Sequence, residues 1–147
     1  MNPVLLVGML VLANAMGIGM TVPQVVRLHR LRSADGVSGV WIGVGIAMNT
    51  WWIAYCLAES LWGILPVSTV AALLYTVMAG QYLGLVGRPG RRPLLSGLLA
   101  VGLSPVPFLV LGGWAVTGAV IGLAYALQFS PAAVTALRSD DLSGISP

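Results

Sequence analysis

Long apolar runs without a single charged residue constrain this chain more than any other feature of its sequence. The first run, residues 3–21, is close to the length that an α-helix needs to cross the hydrocarbon core of a bilayer, about 20 residues. Charged residues make up only 7% of the chain, whereas a soluble domain carries about 25%. Because so few charges cannot cover a surface in water, we predict an all-α integral membrane protein, with the lipid bilayer as its first partner.

Five such runs predict about five transmembrane helices. Short polar tethers, or in one place only the Gly112-Gly113 pair, separate them. At a rise of 1.5 Å per residue, each run is long enough to cross most or all of a hydrocarbon core of about 30 Å. The runs comprise residues 3–21, 40–58, 62–86, 94–111 and 114–129.

All positively charged side chains are arginines, and all lie in the tethers that follow the first, third and fifth runs. Five crossings therefore place every arginine on one side, which the positive-inside rule makes cytoplasmic. The N-terminus is then expected outside a cell membrane. We interpret this charge as a topology signal and a contact for anionic lipid, not as a nucleic-acid surface. The arginines are Arg27, Arg30, Arg32, Arg88, Arg91, Arg92 and Arg138.

The first tether has a partial copy near the C-terminus. Pro23-Gln24 closes the first run, an arginine-rich segment follows, and Gly36-Val37-Ser38 precedes the second run. After the fifth run, Pro131 is followed by an Arg-Ser pair and by Leu142-Ser143-Gly144. This pattern indicates a duplicated helical unit, with the fourth run as a linker that restores the orientation of the second copy.

These residues resemble the motif of the PQ-loop superfamily, which includes the SWEET and SemiSWEET sugar transporters and lysosomal amino-acid exporters such as cystinosin. The resemblance includes Trp52-Ile53-Ala54-Tyr55, which is similar to the Trp-x-x-Tyr of SemiSWEETs. It implies a plan of three helices, a linker and three helices, with the N-terminus outside. Residues 1–86 would be the first three-helix PQ-loop repeat, 87–113 a basic tether and linker helix, and 114–147 the start of the second repeat.

The chain departs from the family pattern at several points. The third run lacks the pocket asparagine of SemiSWEETs, and Ser68 is among its nearest polar residues. The second motif has Ser130-Pro131 in place of Pro-Gln. The second unit contains only its first helix and loop, so we expect either a longer gene or a homo-oligomer that closes the pathway between copies.

Polar side chains inside membrane helices are rare and tend to face a cavity or another helix. Asn49 is the strongest candidate for contacting a solute, and Trp52 lies three residues later on the same helical face. Asn14 and Ser68 would add polar groups from the first and third runs. The alternatives are that Asn49 and Asn14 bond neighbouring helices and that Trp52 faces lipid or packs in the core.

Four residues are candidates for gates or hinges. Pro23 would be a flexible point near the cytoplasmic side, or a simple helix stop, and Gln24 would cap the backbone groups that proline frees. Tyr55 is an outer gate by resemblance, with anchoring at the membrane interface as the alternative. Pro131 is the counterpart of Pro23 in the second unit.

These features favour a transporter over an enzyme, since no nucleophile–base pair, metal spacing or phosphate loop is present, and they call for no cofactor. Because no acid lies within a run, we expect facilitated diffusion by alternating access, with sugar as the favoured solute. An exporter of amino acids or another metabolite and a non-transporting scaffold or receptor remain open. The use of arginine without lysine favours a bacterial source.

Overall fold

The computed structural model describes residues 3–34 and 36–138, and across them the chain is helical with no β-strand. The all-α prediction is confirmed. The sequence motif at Leu142-Ser143-Gly144 lies outside the described residues. The elements are α1 (Pro3–Leu31), α2 (Gly39–Ala58), α3 (Leu65–Val86), a short 3₁₀ helix (Arg88–Gly90), α4 (Arg91–Leu103) and α5 (Val106–Arg138).

Three helices within the described residues are long and apolar enough to cross a membrane, which indicates a membrane protein. They are Gly39–Ala58, Leu65–Val86 and Val106–Tyr125, with mean hydropathies of 1.4, 1.5 and 1.9. The predicted count of about five spans is not confirmed. One reason is that the fourth run does not form one uninterrupted helix, since α4 ends at Leu103.

The helices pack in the spatial order α1, α3, α2, α4, with α5 touching α2. α3 therefore lies between α1 and α2, and α2 is the helix with the most neighbours. A core cluster joins the first four helices at one end of the bundle. Its buried members are Leu28, Ile42, Tyr75, Met78, Ala79, Tyr82 and Leu94. Outside this cluster, Cys56 in the second half of α2 is completely buried and is the only cysteine of the sequence.

α2 and α4 cross in backbone contact. A Cβ atom on Gly43 would overlap the carbonyl of Leu94, and one on Gly97 would overlap the carbonyl of Val40. Only glycine permits so close an approach, which is the use expected of small residues at membrane-helix interfaces. Gly43 and Gly97 are the residues that permit this crossing.

The conformation of the tether between α1 and α2 explains why Gly36 and Ser38 occur there. Gly36 has a φ of 75°, which glycine adopts without strain. The Ser38 hydroxyl accepts a hydrogen bond of 3.3 Å from the backbone N–H of Trp41 and so caps the first turn of α2. The Gly-x-Ser sequence thus ends the loop and starts the second helix.

Two breaks separate α4 from the main part of α5. Pro105 has no N–H to offer the carbonyl of Val101, and the hydroxyl of Ser104 donates to that carbonyl at 3.3 Å instead. Gly113, inside α5, adopts a φ of 63° and a ψ of −163°, so a regular helix resumes only at Trp114. The turn that we expected at Gly112-Gly113 is present as this break.

α1 runs through Pro23 without ending and continues to Leu31. A proline inside a helix costs about 3 kcal/mol because it removes a backbone hydrogen bond. Buried side chains on both sides, Thr21 and Leu28, hold the helix against its neighbours and help to offset that cost. The alternative that Pro23 simply stops the helix does not describe this structure.

Six arginines lie at the same end of the bundle, and all six are exposed. The contact of Tyr82 with Gly39 and Gly90 brings the tether before α2 and the 3₁₀ helix together at that end. Leu28, at the C-terminal part of α1, belongs to the same cluster. The six are Arg27, Arg30, Arg32, Arg88, Arg91 and Arg92; the side chain of Arg138 is outside the described set.

Candidate functional site

Asn49 lies buried in the middle of α2, with 5% of its surface exposed. Its side-chain N–H donates 2.8 Å to the carbonyl of Gly45, one turn earlier in the same helix. This is the one hydrogen bond of the Asn49 side chain within the described part of the chain. The carboxamide therefore does not tie α2 to a neighbouring helix there, and its oxygen can accept from another group.

A tyrosine from α3 packs against the same segment of α2. The ring of Tyr75 lies directly over Gly45, where any side chain would overlap it. The same ring meets Trp41 edge-on at 5.1 Å between centroids. Tyr75 thus brings an aromatic ring from α3 to within one helical turn of Asn49.

Trp52 is held between two tyrosine rings. Tyr55, three residues later in α2, stands nearly perpendicular to it at 5.8 Å and 80°. Tyr125 of α5 does the same at 6.1 Å and 83°. The indole N–H of Trp52 is buried and finds no hydrogen-bond partner among the described residues. Trp52 is therefore half-buried between α2 and α5 side chains, and it does not face only lipid.

Further rings extend the contact between α2 and α5. Trp114 packs against Tyr55 at 6.4 Å and against Trp51 at 6.3 Å. Gly118 leaves room for the Tyr55 ring beside the α5 backbone. We call these five side chains the aromatic array: Trp51, Trp52, Tyr55, Trp114 and Tyr125.

Ser68 is buried on the side of α3 that faces α2. The two helices are antiparallel, since Gly39 lies opposite Tyr82 and Gly45 lies opposite Tyr75. Two further turns along α3 place Ser68 level with Trp52. The structure therefore brings this predicted residue to the height of the Asn49–Trp52 face.

Asn14 lies apart from this face. Its side-chain N–H groups donate to the carbonyls of Leu10 at 2.7 Å and Gly63 at 3.1 Å, so it ties α1 to the segment before α3. It borders a separate apolar crevice of about 350 Å³ between α1 and Pro66. The structure thus shows the helix-bonding alternative, although the side-chain oxygen is buried without a partner in the described region.

The predicted hinge residues occupy different settings. Pro23 and Gln24 are exposed within α1, and the Gln24 side chain makes no hydrogen bond to the described residues. Tyr55 belongs to the aromatic array. Pro131 lies within α5, but its side chain is outside those that the structure describes. The hinge and gate roles stay predictions.

Sequence reasoning missed the contributions of Tyr75, Tyr125 and Trp114 to this region. A signal was present for the last two. Trp114, Gly118, Ile121 and Tyr125 repeat at helical spacing and form one stripe of α5. The position of Trp114 at the start of a run also fits an anchor at the membrane interface, so spacing alone does not separate the two roles.

No protein-family model, curated protein sequence or solved structure matches this chain. Within residues 3–34 and 36–138, no group of three histidine, cysteine or acidic side chains could hold a metal ion. The arrangement offers instead a buried carboxamide, an unpaired indole donor and several aromatic rings in the middle of an apolar bundle.

Proposed function

We propose that this protein moves a small polar solute across a cell membrane, with a sugar as the favoured solute. The observation that carries the proposal is the Asn49–Trp52 face of α2. A carboxamide can donate to and accept from hydroxyl groups, and an indole can donate to one while its ring packs on the apolar face of a sugar ring. Polar groups buried at membrane depth are energetically costly and rare. Those that are found there usually have a functional role, which favours a solute contact here.

The proposal includes five spans with the N-terminus outside and the basic tethers in the cytoplasm. The break at Gly113 supports this count, because it divides the last apolar segment and allows residues 91–112 to act as one bent span. The common location of six exposed arginines supports one cytoplasmic end. The resemblance to the PQ-loop motif supports alternating access, with Pro23 at the inner gate, Tyr55 at the outer gate and Pro131 as a second hinge.

Transport is proposed to follow the concentration gradient of the solute. The nearest acid to the Asn49–Trp52 face along α2 is Glu59, at the helix end, and proton-coupled carriers rely on ionisable groups inside the membrane. A second helical unit, in a longer chain or in another copy of this one, would close the pathway.

Uptake by proteoliposomes tests the proposal. The purified full chain is reconstituted and exposed to radiolabelled glucose, sucrose, alanine and glutamate in separate assays. We expect sugar uptake that stops when inside and outside concentrations are equal and that a proton gradient does not change. Uptake of amino acids alone would establish the exporter alternative, and the absence of all flux would favour a scaffold or receptor.

Matched variants test the site itself. Asn49→Ala should lower sugar uptake about tenfold, because a buried hydrogen bond to a solute contributes about 1–1.5 kcal/mol. Thr50→Ala is its control, since the Thr50 hydroxyl is exposed and bonds only the carbonyl of Ile46. Trp52→Ala should lower uptake similarly, whereas the exposed Trp62→Ala should not. Unchanged uptake in Trp52→Ala would show that the pocket lies elsewhere.

A further inference from the structure

We infer that Tyr125 of α5 is a positioning residue for the solute site, because it fixes the orientation of the Trp52 indole. The inference rests on the proposed function. It assigns part of the solute specificity of the site to α5, which lies outside residues 1–86. The solute that fits this site is an uncharged, hydroxyl-rich ring compound.

The positioning argument begins with the geometry of Trp52. An indole in a helix can turn about two side-chain bonds, so one neighbouring ring is not enough to hold it. Tyr55 limits it from within α2, and Tyr125 limits it from α5, each nearly perpendicular to the indole plane. Perpendicular aromatic pairs at these separations are favourable beyond the area that they bury. With Tyr125 removed, the ring contact with Tyr55 is the one that remains to Trp52 in the described part of the chain.

α5 is itself seated on α2 at this level. Gly118 receives the ring of Tyr55, and both Thr117 and Ile121 are almost completely buried. The Thr117 hydroxyl donates 2.8 Å to the carbonyl of Gly113 and so reinforces the first turn after the helix break. These contacts hold the stripe of α5 that ends in Tyr125 against the tryptophan it positions.

The polar groups of the site define the class of solute. The indole N–H of Trp52 is donor-only and has no partner among the described side chains, so it calls for an acceptor such as a hydroxyl oxygen. Asn49 supplies a carboxamide one turn away. The described exposed arginines all lie at the far end of the bundle, so a buried negative charge on the solute would stay unpaired, which is costly. Glu59, the nearest acid along α2, is exposed at the helix end, so a buried positive charge would stay unpaired as well. An uncharged solute meets these conditions.

The test separates the ring of Tyr125 from its hydroxyl. Tyr125→Phe keeps the ring, Tyr125→Leu removes it, and Leu123→Ala changes a lipid-exposed residue of the same helix as a control. Glucose counterflow in proteoliposomes gives apparent KM and Vmax for each. We expect Tyr125→Leu to raise KM about three- to tenfold with Vmax within about twofold, while Tyr125→Phe and Leu123→Ala match the parent.

An optical measurement tests positioning without transport. In a chain with Phe at positions 41, 51, 62 and 114, Trp52 is the only tryptophan. Its fluorescence emission should shift to longer wavelength with Tyr125→Leu, because the indole loses the ring that covers it and becomes more exposed to a polar environment. The emission should not shift with Tyr125→Phe. Should Tyr125→Leu fail to give a monodisperse protein, Tyr125→Met replaces it and carries the same expectations, since methionine fills the gap without a ring.

Each outcome decides the inference. An unchanged KM in the ringless variant, or equal damage from Tyr125→Phe, overturns it. If the parent protein transports none of the solutes in the uptake panel, the proposed function fails. The emission shift then still decides whether Tyr125 positions Trp52, because that readout needs no flux.

Discussion

α2 meets two helices in two different ways. Against α4 it packs backbone to backbone through Gly43 and Gly97, where no side chain separates the helices. Against α5 it packs through aromatic side chains whose ring centres lie about 6 Å apart. A backbone contact has no rotatable bonds to absorb movement, whereas a contact between rings can slide by small rotations. The comparison teaches that the α2–α4 contact tolerates no added atom, whereas the α2–α5 contact depends on how its rings pack.

The largest expected effect comes from adding one methyl group to the α2–α4 crossing. In Gly97→Ala the new Cβ meets the backbone of Val40, which cannot turn aside, so we expect a loss of about 2 kcal/mol in the free energy of unfolding. Unfolding by SDS in mixed micelles, followed by circular dichroism, measures it.

Gly84→Ala is the matched control for that change, because a Cβ at Gly84 meets nothing within 4 Å. Alanine favours a helix over glycine by about 1 kcal/mol, so this variant should be neutral or slightly more stable. If Gly97→Ala and Gly84→Ala lowered the free energy of unfolding equally, the α2–α4 crossing would not be packed backbone to backbone.

Trp114→Ala addresses the other side of the comparison. It removes the ring contacts of α5 with Trp51 and Tyr55, and we expect a loss of about 1 kcal/mol in stability. The larger consequence should be a broader distribution of α2–α5 distances, measured by electron paramagnetic resonance between paired spin labels.

The exposed Trp62→Ala serves as the control and should leave that distribution unchanged. A distribution of α2–α5 distances with the same width in the parent and in Trp114→Ala would contradict the view that ring packing holds α5 against α2.

The smallest expected effect concerns one hydrogen bond between α2 and α4. Trp51 belongs to the aromatic array, yet its indole N–H donates 3.1 Å to the carbonyl of Gly102 in α4. Trp51→Phe keeps an aromatic ring and loses this bond, so the free energy of unfolding should fall by about 0.5 kcal/mol. Trp41→Phe is the comparison variant, and its loss should be smaller. The same SDS titration measures both.

Composition and run length were enough to predict the helical class. So few charges predict a chain that lies in a bilayer, where a helix satisfies the backbone hydrogen bonds within each segment. The loop role of the Gly-x-Ser sequence was also predictable, since it depends on local sequence. The path of α1 through Pro23 was not, because it depends on how Thr21 and Leu28 are held by other helices.

The candidate site was predictable only in part. Asn49 and Trp52 share a helical face, and spacing alone shows that. Spacing cannot show which helix covers the face, so the roles of Tyr75 and Tyr125 had to come from the packing. Asn14 was a further candidate of the same kind, a polar residue in an apolar run, and its bond to Gly63 shows that it ties α1 to the segment before α3.

The burial of Cys56 makes this molecule convenient for labelling. The only thiol of the sequence lies in α2 with none of its surface exposed. A maleimide or nitroxide reagent would therefore react with cysteines introduced at exposed positions and leave the native one unmodified. Pairs of probes can be placed on α2 and α4, or on α2 and α5, without first building a cysteine-free background. The movement of each neighbour of α2 can then be followed in the otherwise native protein.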